Sequence, residues 1–375
     1  MRILQVVGQS HRRGAEIFAL ELASGLDALG HDNRVVALGV AFDGRRDPDL
    51  PALTARARLT PRAIVAGAWR LRRLLAREPF DAVLAHGGSA AQAAALARRS
   101  GGPLLIWQRI LGFPSSIWGP AKRRWWRFIA RRIDVVVAMT PDLGHELRRL
   151  GFTGPVWEIG TYNTRSPQRF VGIDRAEATA RLRREVGVGE DVALIGFVGH
   201  LVEQKRPERA LEVLRYVLAD NDRAHLVVAG DGPLRIRLER EIAARGLDPH
   251  VTLLGDRRDV EQVYGGLDVL LLTSDDEGIP GVAVEAQMAG CPVVTFPLGG
   301  VGTVVENGRT GIVLDRADTV LMAEHTVRLL ERPTLRHQLG DEARHAAERF
   351  STRQAAEEYD ARLTELYERC GTHAP

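Results

Sequence analysis

Two glutamates, Glu277 and Glu285, lie in the stretch TSDDEGIPGVAVEAQMAGCPVV at residues 273–294 and carry the clearest chemical signal of the chain. An apolar run at 267–272 precedes them and predicts a buried parallel strand, so both acids are expected just beyond its carboxyl end. Open α/β sheets bind their ligands at this end of the strands. Pro280 then predicts the start of a helix, and Gly290 its end.

The spacing of the two acids suits a diphosphate that carries hydroxyl groups on both sides. The first turn of a helix presents unpaired N–H groups and a positive dipole end, which favour such an anion. Glu277, in the loop, can accept hydrogen bonds from sugar hydroxyls, and Glu285, one turn into the helix, can accept them from a ribose. The amides of Gly281, Val282 and Ala283 would face the phosphates. The alternative is a charged surface loop before an ordinary helix.

This stretch closely resembles the signature of the retaining, nucleotide-sugar-dependent glycosyltransferases of family 4. Their pattern is similar to S-x-x-E-G-x-P-x-x-x-x-E-A-M-A-x-G, and the matching positions here are Ser274, Glu277, Gly278, Pro280, Glu285, Ala286, Ala289 and Gly290. The resemblance implies an α/β fold in which two Rossmann-like domains face each other across a cleft, the B-type glycosyltransferase (GT-B) fold. It also implies donor contacts at Glu277, Gly278, Ile279, Pro280, Gly281, Val282, Ala283 and Glu285.

A second loop supplies positive charge for the same ligand. The run Val192–Gly199 predicts a buried strand that ends in glycine, and Lys205 and Arg206 follow it. An ammonium at this place can neutralise a diphosphate without a metal ion. The family pattern is similar to V-G-R-L-x-x-x-K-G, which implies donor contacts at Gly199, His200, Lys205 and Arg206. His200 stands where arginine is common, so Lys205 is expected to carry more of the charge. A solvated basic loop is the alternative.

The sequence around three further residues resembles segments with which family members contact the donor. Gly14-Ala15-Glu16 resembles the family's Gly-Gly-Ala-Glu segment, which implies that Gly14 approaches the diphosphate; a simple turn glycine is the alternative. His86 ends a strand and resembles the second histidine of a His-x-His, which implies a contact with the transferred sugar. A structural histidine is the alternative there. Arg257 follows a strand whose end, by resemblance, borders the nucleobase.

The resemblance implies that Glu277, His86 and Lys205 form the catalytic group and act by front-face substitution. In such a reaction the leaving diphosphate helps to deprotonate the acceptor hydroxyl, while positive donors hold the developing charge. A glycosidase-like route would need a carboxylate nucleophile at the anomeric carbon, and we identify none in the sequence. We therefore expect retaining transfer of a hexose or N-acetylhexosamine from a UDP-sugar to a hydroxyl of a sugar, lipid-linked or small-molecule acceptor.

Other functions stay open at this point. A metal-dependent transferase needs an Asp-x-Asp after a strand to hold Mg²⁺, whereas the matches that start at Asp47 and Asp220 lie in a Pro-rich loop and at a helix end. We therefore expect no metal and no cofactor, with the nucleotide sugar as co-substrate. A nucleotide-sugar epimerase on the same fold and a non-catalytic sugar-nucleotide binder are the remaining alternatives.

Length and composition fit two globular domains. The chain has 375 residues, and its 51 Lys+Arg against 48 Asp+Glu leave a net charge of +3, which gives no argument for a nucleic-acid partner. Two cysteines are too few for a disulfide framework, and no signal peptide or membrane span is recognisable, so a cytoplasmic location is expected. Alternating strands and helices predict an acceptor-binding domain at 1–170, a nucleotide-sugar-binding domain at 171–350, and a helix at 351–375 that packs back on the first domain.

A strongly basic helix is predicted at Lys122–Arg132. One side would carry Trp125, Phe128, Ile129 and Ile133, and the arginines would lie on the other. Such a helix can lie on anionic lipid, which would place the protein peripherally at the inner face of the membrane. We favour the other interpretation, in which the aromatic stripe packs on the adjacent sheet and the basic side is solvated.

Overall fold

The computed structural model describes residues 1–10, 14–41, 47, 50–109, 119–138, 145, 147–159, 169–277 and 279–371. Two predicted features, Gly278 and most of the expected interdomain hinge at 160–168, lie outside the described residues. The chain divides into two compact units, residues 1–165 with 350–375 and residues 166–349. Each unit contains a six-stranded parallel sheet with helices packed on it. The predicted α/β class with two Rossmann-like domains is therefore confirmed.

The first unit is built on a sheet in the order β2-β1-β3-β4-β5-β6. Its strands are β1 Arg2–Ser10, β2 Asp32–Val40, β3 Ala82–His86, β4 Leu104–Arg109, β5 Val135–Ala138 and β6 Val156–Glu158. β2 pairs with one side of β1 and β3 with the other, so the strand order reverses between β1 and β3. Ligands of open α/β sheets bind beyond the carboxyl ends of the strands at such a reversal.

The second unit repeats this plan in the order β12-β11-β10-β7-β8-β9. Its strands are β7 Ala193–Val198, β8 Ala224–Ala229, β9 Val251–Gly255, β10 Val269–Leu272, β11 Val293–Thr295 and β12 Gly311–Val313. β8 pairs with one side of β7 and β10 with the other, which puts the reversal between β7 and β10. Because the two strands are parallel neighbours, the loops that follow them leave the sheet side by side.

The helices alternate with these strands. They are α1 Gly14–Ala28, α2 Pro61–Arg77, α3 Gly88–Ala97, α4 Pro120–Ala130, α5 Arg175–Val186, α6 Pro207–Asp220, α7 Arg235–Ala244, α8 Val260–Gly266, α9 Gly281–Met288, α10 Thr319–Glu331, α11 Pro333–Ala347 and α12 Thr352–Gly371. Local chemistry explains several of their ends. Pro207 occupies the first position of α6, Asp318 caps α10 through its carboxylate, and Gly290 turns the chain after α9 with a φ of +70°.

Helix α12 belongs to the first unit, as predicted for the terminal helix. It packs on α1 at Gly25, where an added Cβ would lie only 2.7 Å from the side chain of Ala356. In the turn between α1 and β2, His31 Nε2 lies 2.8 Å from Asp360 Oδ1 of α12. A close helix crossing and a polar contact thus hold the end of the chain to its beginning.

The other face of the first sheet is covered by α2, α3 and α4, whose buried side chains share one core cluster with the strands. The prediction that Trp125 and Phe128 pack on this sheet is wrong. The buried aromatic residue of α4 is Trp126, whose ring stacks on Trp107 of β4 at 5.0 Å, with Ile129 buried beside it. Trp125 and Phe128 remain 38% and 44% exposed because the side of the helix that carries Trp126 and Ile129 is the one turned to the sheet.

Candidate functional site

The loops after β7 and β10 form one hydrogen-bonded unit at the reversal of strand order. The backbone N–H of Asp275 donates to the carbonyl of Gln204 at 2.9 Å. The Thr273 hydroxyl lies 3.0 Å from the carbonyl oxygens of both Lys205 and Arg206. These contacts hold the two loops against each other, although they are far apart in sequence. They also fix the backbone on which the predicted site residues sit.

Lys205 and Glu277 meet within this unit. Lys205 Nζ forms an ion pair with Glu277 Oε1, and the same oxygen accepts a hydrogen bond from the Ser274 hydroxyl at 2.7 Å. The side chain of Glu277 is 10% exposed and that of Lys205 is 23% exposed. Charges in such a partly desolvated place interact more strongly than charges in water. The structure therefore brings together two residues that the sequence predicted for the same ligand.

Helix α9 begins at Gly281, directly after this loop, in which Ile279 is buried. The N–H groups of Gly281 and Val282 lie in its first turn, where an α-helix has no internal acceptor for them. The N–H of Ala283 instead donates to the Pro280 carbonyl at 3.0 Å. The three predicted amides are therefore not equivalent, and the set that can face an anion is reduced to Gly281 and Val282.

Glu285 lies on the buried side of α9 and is 8% exposed. Its Oε2 accepts a hydrogen bond from the hydroxyl of Tyr264, a fully buried residue of α8, at 2.8 Å. The tyrosine therefore orients the carboxylate that the sequence predicts for ribose hydroxyls. Sequence reasoning missed Tyr264, because no pattern in the short helix α8 indicates which of its side chains faces α9.

A glycine lets the loop after β8 cross close to the loop after β7. Gly230 has a φ of +140°, and a Cβ added to it would lie 1.9 Å from the carbonyl oxygen of Gly199. Side chains larger than hydrogen are thus excluded from this crossing. The Nδ1 of His200 contacts the carbonyl of Asp231 in the neighbouring loop. The histidine found where the family commonly has arginine is therefore held by backbone of the second unit.

The two predicted arginines of the site are paired with carboxylates of the protein. Arg206 Nε lies 2.8 Å from Asp275 Oδ2, and the charge of that aspartate raises the pKa of Arg206. Arg257 lies 2.8 Å from Asp259 and also pairs with Glu185, and hydrogen bonds to these two groups raise its pKa. Both guanidinium groups neutralise nearby acids, which leaves less of their charge for a phosphate.

His86 and Gly14 lie in the first unit, next to the reversal of its strand order. His86 ends β3 and is 3% exposed, with the ring of Phe18 at 5.9 Å and the side-chain amide of Gln5 2.9 Å from its Nε2. Burial lowers the pKa of His86 to about 3, although the Gln108 side chain acts in the opposite direction. The imidazole is neutral at physiological pH. Its contact with a sugar stays a prediction, as does that of Gly14, an exposed residue at the start of α1.

Two family models match the chain, one in each unit. The model described as Glycosyltransferase Family 4 matches residues 12–160, and the model described as Glycosyl transferases group 1 matches residues 179–346. The first match lies within the first unit and the second within the second unit. The second match also contains the two loops and the helix start that form the candidate site.

Curated relatives align with a little over half of the chain. Identity is 25% over 236 residues with the N-acetyl-alpha-D-glucosaminyl L-malate synthase of Bacillus anthracis, covering 62% of this chain and 60% of that protein. It is 34% over 206 residues with the D-inositol 3-phosphate glycosyltransferase of Corynebacterium kroppenstedtii, covering 52% of this chain and 44% of that protein. The chain thus spans about half the length of the curated relatives that it matches.

Among solved structures, the chain is similar to that of Anabaena HepE in complex with UDP-glucose. The TM-score is 0.77 at 18% identity, and the match covers 97% of this chain and 100% of that one. At this level of identity the likeness shows the fold alone. It agrees with the two parallel sheets described above.

Proposed function

This chain belongs to the family 4 glycosyltransferases of the GT-B fold, and we propose from that premise that it transfers a hexose or N-acetylhexosamine from a nucleotide diphosphate sugar to an acceptor hydroxyl. The observation that carries the proposal is the Lys205–Glu277 pair beside the first turn of α9. An ammonium, two amide groups and a buried carboxylate in one unit are complementary to a ligand that has hydroxyls next to phosphates.

Donor binding exchanges the partners of this pair. The diphosphate takes the Lys205 ammonium and the amides of Gly281 and Val282, while Glu277 accepts hydrogen bonds from hydroxyls of the sugar. Glu285, oriented by Tyr264 at 2.8 Å, accepts hydrogen bonds from the ribose. The ion pair therefore keeps both charged groups in place until the donor arrives.

In the proposed reaction, the bond between the anomeric carbon and the diphosphate oxygen breaks. The acceptor oxygen bonds to the same face of that carbon, so the anomeric configuration is retained. The acceptor proton passes to the departing diphosphate oxygen, and no metal or cofactor takes part. Lys205 and the start of α9 stabilise the charge that collects on the leaving group, and one such donor is commonly worth about 3 kcal/mol.

A UDP-sugar is the donor that we propose, and the solved structure of HepE with bound UDP-glucose supports this choice. The names of the curated relatives support a small polar acceptor, since one is an N-acetyl-alpha-D-glucosaminyl L-malate synthase and another is a D-inositol 3-phosphate glycosyltransferase. Acceptors with sugar or lipid-linked hydroxyls remain within the proposal. His86 and Gly14 are the residues of the first unit that we propose for contacts with the donor.

The test is turnover of defined donors with analysis of the products. UDP-, GDP- and ADP-glucose and UDP-N-acetylglucosamine are each incubated with the protein, with and without polyol acceptors and with a chelator. We expect release of UDP that an acceptor accelerates and a chelator does not slow, and a product whose NMR coupling shows the donor's anomeric configuration. Isomerised donor without acceptor would identify an epimerase. Saturable binding without any turnover would identify a non-catalytic binder.

A further inference from the structure

The three helices α2, α3 and α4 over one face of the first sheet carry many cations and no carboxylate. The cations of α2 and α4 are Arg62, Arg70, Arg72, Arg73, Arg77, Lys122, Arg123, Arg124 and Arg127, and α3 between them has no charged residue. We call the outer surface of α2 and α4 the basic face. The rest of the chain has 42 Lys+Arg against 48 Asp+Glu. The positive excess of the protein is therefore concentrated on the basic face.

Three aromatic side chains emerge from the same surface. Trp69 of α2 is 54% exposed, and Trp125 and Phe128 of α4 are 38% and 44% exposed. The rings of Trp125 and Phe128 stack at 5.8 Å, and the Trp125 indole N–H donates to Gln92 of α3 at 2.7 Å. These contacts hold the two rings of α4 at the surface. Because Trp126 and Ile129 already fill the core beneath α4, the exposed rings are not displaced core residues.

In the part of the chain that the structure describes, the eight arginines of the basic face form no ion pair with an acid. Glu78, which follows α2 directly, pairs with Arg2 and Arg34 instead. Within the described part of the chain, Arg72 and Arg127 form no ion pair, and both are exposed. The positive potential of the face is therefore available to an external anion.

We propose that the basic face docks on an anionic lipid bilayer, with Trp69, Trp125 and Phe128 in the headgroup region. The cations select an anionic partner, and the exposed rings select a bilayer over a polyanion in water, since tryptophan is favoured at the membrane interface. Because Trp126 and Ile129 already pack α4 on the sheet, the exposed Trp125 and Phe128 are not needed for that packing. In the described residues, we find no helix that combines the length and apolarity needed to span a membrane.

Flotation with vesicles tests the proposal on the full chain. We expect the protein to float with phosphatidylcholine vesicles that contain phosphatidylglycerol, and not with phosphatidylcholine alone. Binding should fall as salt rises, because the Debye length shrinks from about 10 Å at 0.1 M to about 3 Å at 1 M. Each cation near an anionic surface contributes roughly fivefold to partitioning, so Arg72→Gln combined with Arg127→Gln should weaken binding about 30-fold.

Matched control variants distinguish binding through the basic face from a general effect of the protein's net charge. Arg184→Gln with Arg240→Gln removes the same charge from exposed positions of the second unit, and we expect a change below about twofold. Trp69→Ser with Phe128→Ser should weaken flotation without any change in charge, whereas Ile236→Ser, at a residue that is 63% exposed in α7, should not.

Several outcomes would overturn the proposal. These are equal flotation with neutral vesicles, absence from the floating fraction, or an equal loss in the control variants. Retention on a soluble polyanion without flotation would assign the face to an acidic macromolecule instead. Donor turnover in vesicle-free solution should be the same in all these variants, so failure of the membrane proposal is distinguishable from failure of the proposed transferase activity.

Discussion

Replacing both members of the Lys205–Glu277 pair separates its structural role from its chemical one. Lys205→Met leaves Glu277 with the Ser274 hydrogen bond at 2.7 Å but without its cation. Removing one partner of a fully buried pair costs about 3–5 kcal/mol. Because Lys205 is 23% exposed and Ser274 remains, we expect a loss of about 1–3 kcal/mol in the free energy of unfolding. Adding Glu277→Gln gives a neutral pair of similar size, which should return stability to within about 1 kcal/mol of wild type.

Turnover should not return with stability in the double variant. Loss of one preorganised donor to a developing anion costs about 10²–10³ in kcat, and the neutral pair supplies neither that donor nor the carboxylate for sugar hydroxyls. Urea unfolding measures the stability, and initial rates of UDP release measure kcat/KM. Lys205→Arg is the control that keeps the charge, and it should retain more activity than Lys205→Met. A double variant that recovered both stability and turnover would refute the reasoning, because the pair would then be a structural ion pair only.

Two further predictions follow from buried polar groups. Tyr264→Phe removes the hydroxyl that orients Glu285 at 2.8 Å, and we expect a loss of about 1 kcal/mol in the free energy of unfolding. The donor KM should rise by more than kcat falls, since the ribose is bound equally in the ground and transition states. Calorimetric titration with UDP checks this prediction, and unchanged affinity would contradict it. Burial holds the pKa of His86 at about 3 in the folded protein, against 6.5 for an ordinary histidine. Between these two pH values the unfolded chain binds a proton at His86 and the folded protein does not. The contribution of His86 to stability is therefore complete above pH 6.5 and should fall by about 2 kcal/mol from pH 7 to pH 5, a loss that urea unfolding of wild type should show and His86→Gln should lack.

The order of strands and helices was predictable because buried parallel strands are short apolar runs between amphipathic helices. The apolar run at 267–272 contains β10, and Gly290 turns the chain after α9 as predicted. The order of strands within a sheet was not predictable, since an apolar run does not reveal its neighbours. The adjacency of β7 and β10 arises from the crossover connections. The contact between Lys205 and Glu277 is a consequence of that adjacency and therefore appears only in the fold.

Helix α4 shows the same limit on a smaller scale. Its existence was predictable from composition and period, but its buried side was not. Trp125 and Trp126 are adjacent, and a period of 3.6 residues can place the apolar side on either of them. The choice is made by Trp107 on β4, against which Trp126 stacks at 5.0 Å. Because that partner is supplied by tertiary packing, the wrong tryptophan was assigned to the core.

His86 in the first unit and Lys205 and Glu277 in the second lie at or beyond the ends of strands next to a reversal of strand order, yet their electrostatic surroundings differ. In the second unit, Lys205 and Glu277 form an ion pair and are partly exposed, so each can give up the other as its partner and bind a ligand instead. In the first unit, His86 is 3% exposed with a pKa of about 3, so it can offer only a neutral hydrogen bond. In the transfer that we propose, the charge that stabilises the departing diphosphate is therefore assigned to Lys205 and the start of α9 in the second unit. This division of labour is why the ion pair, and not the histidine, carries the proposed chemistry.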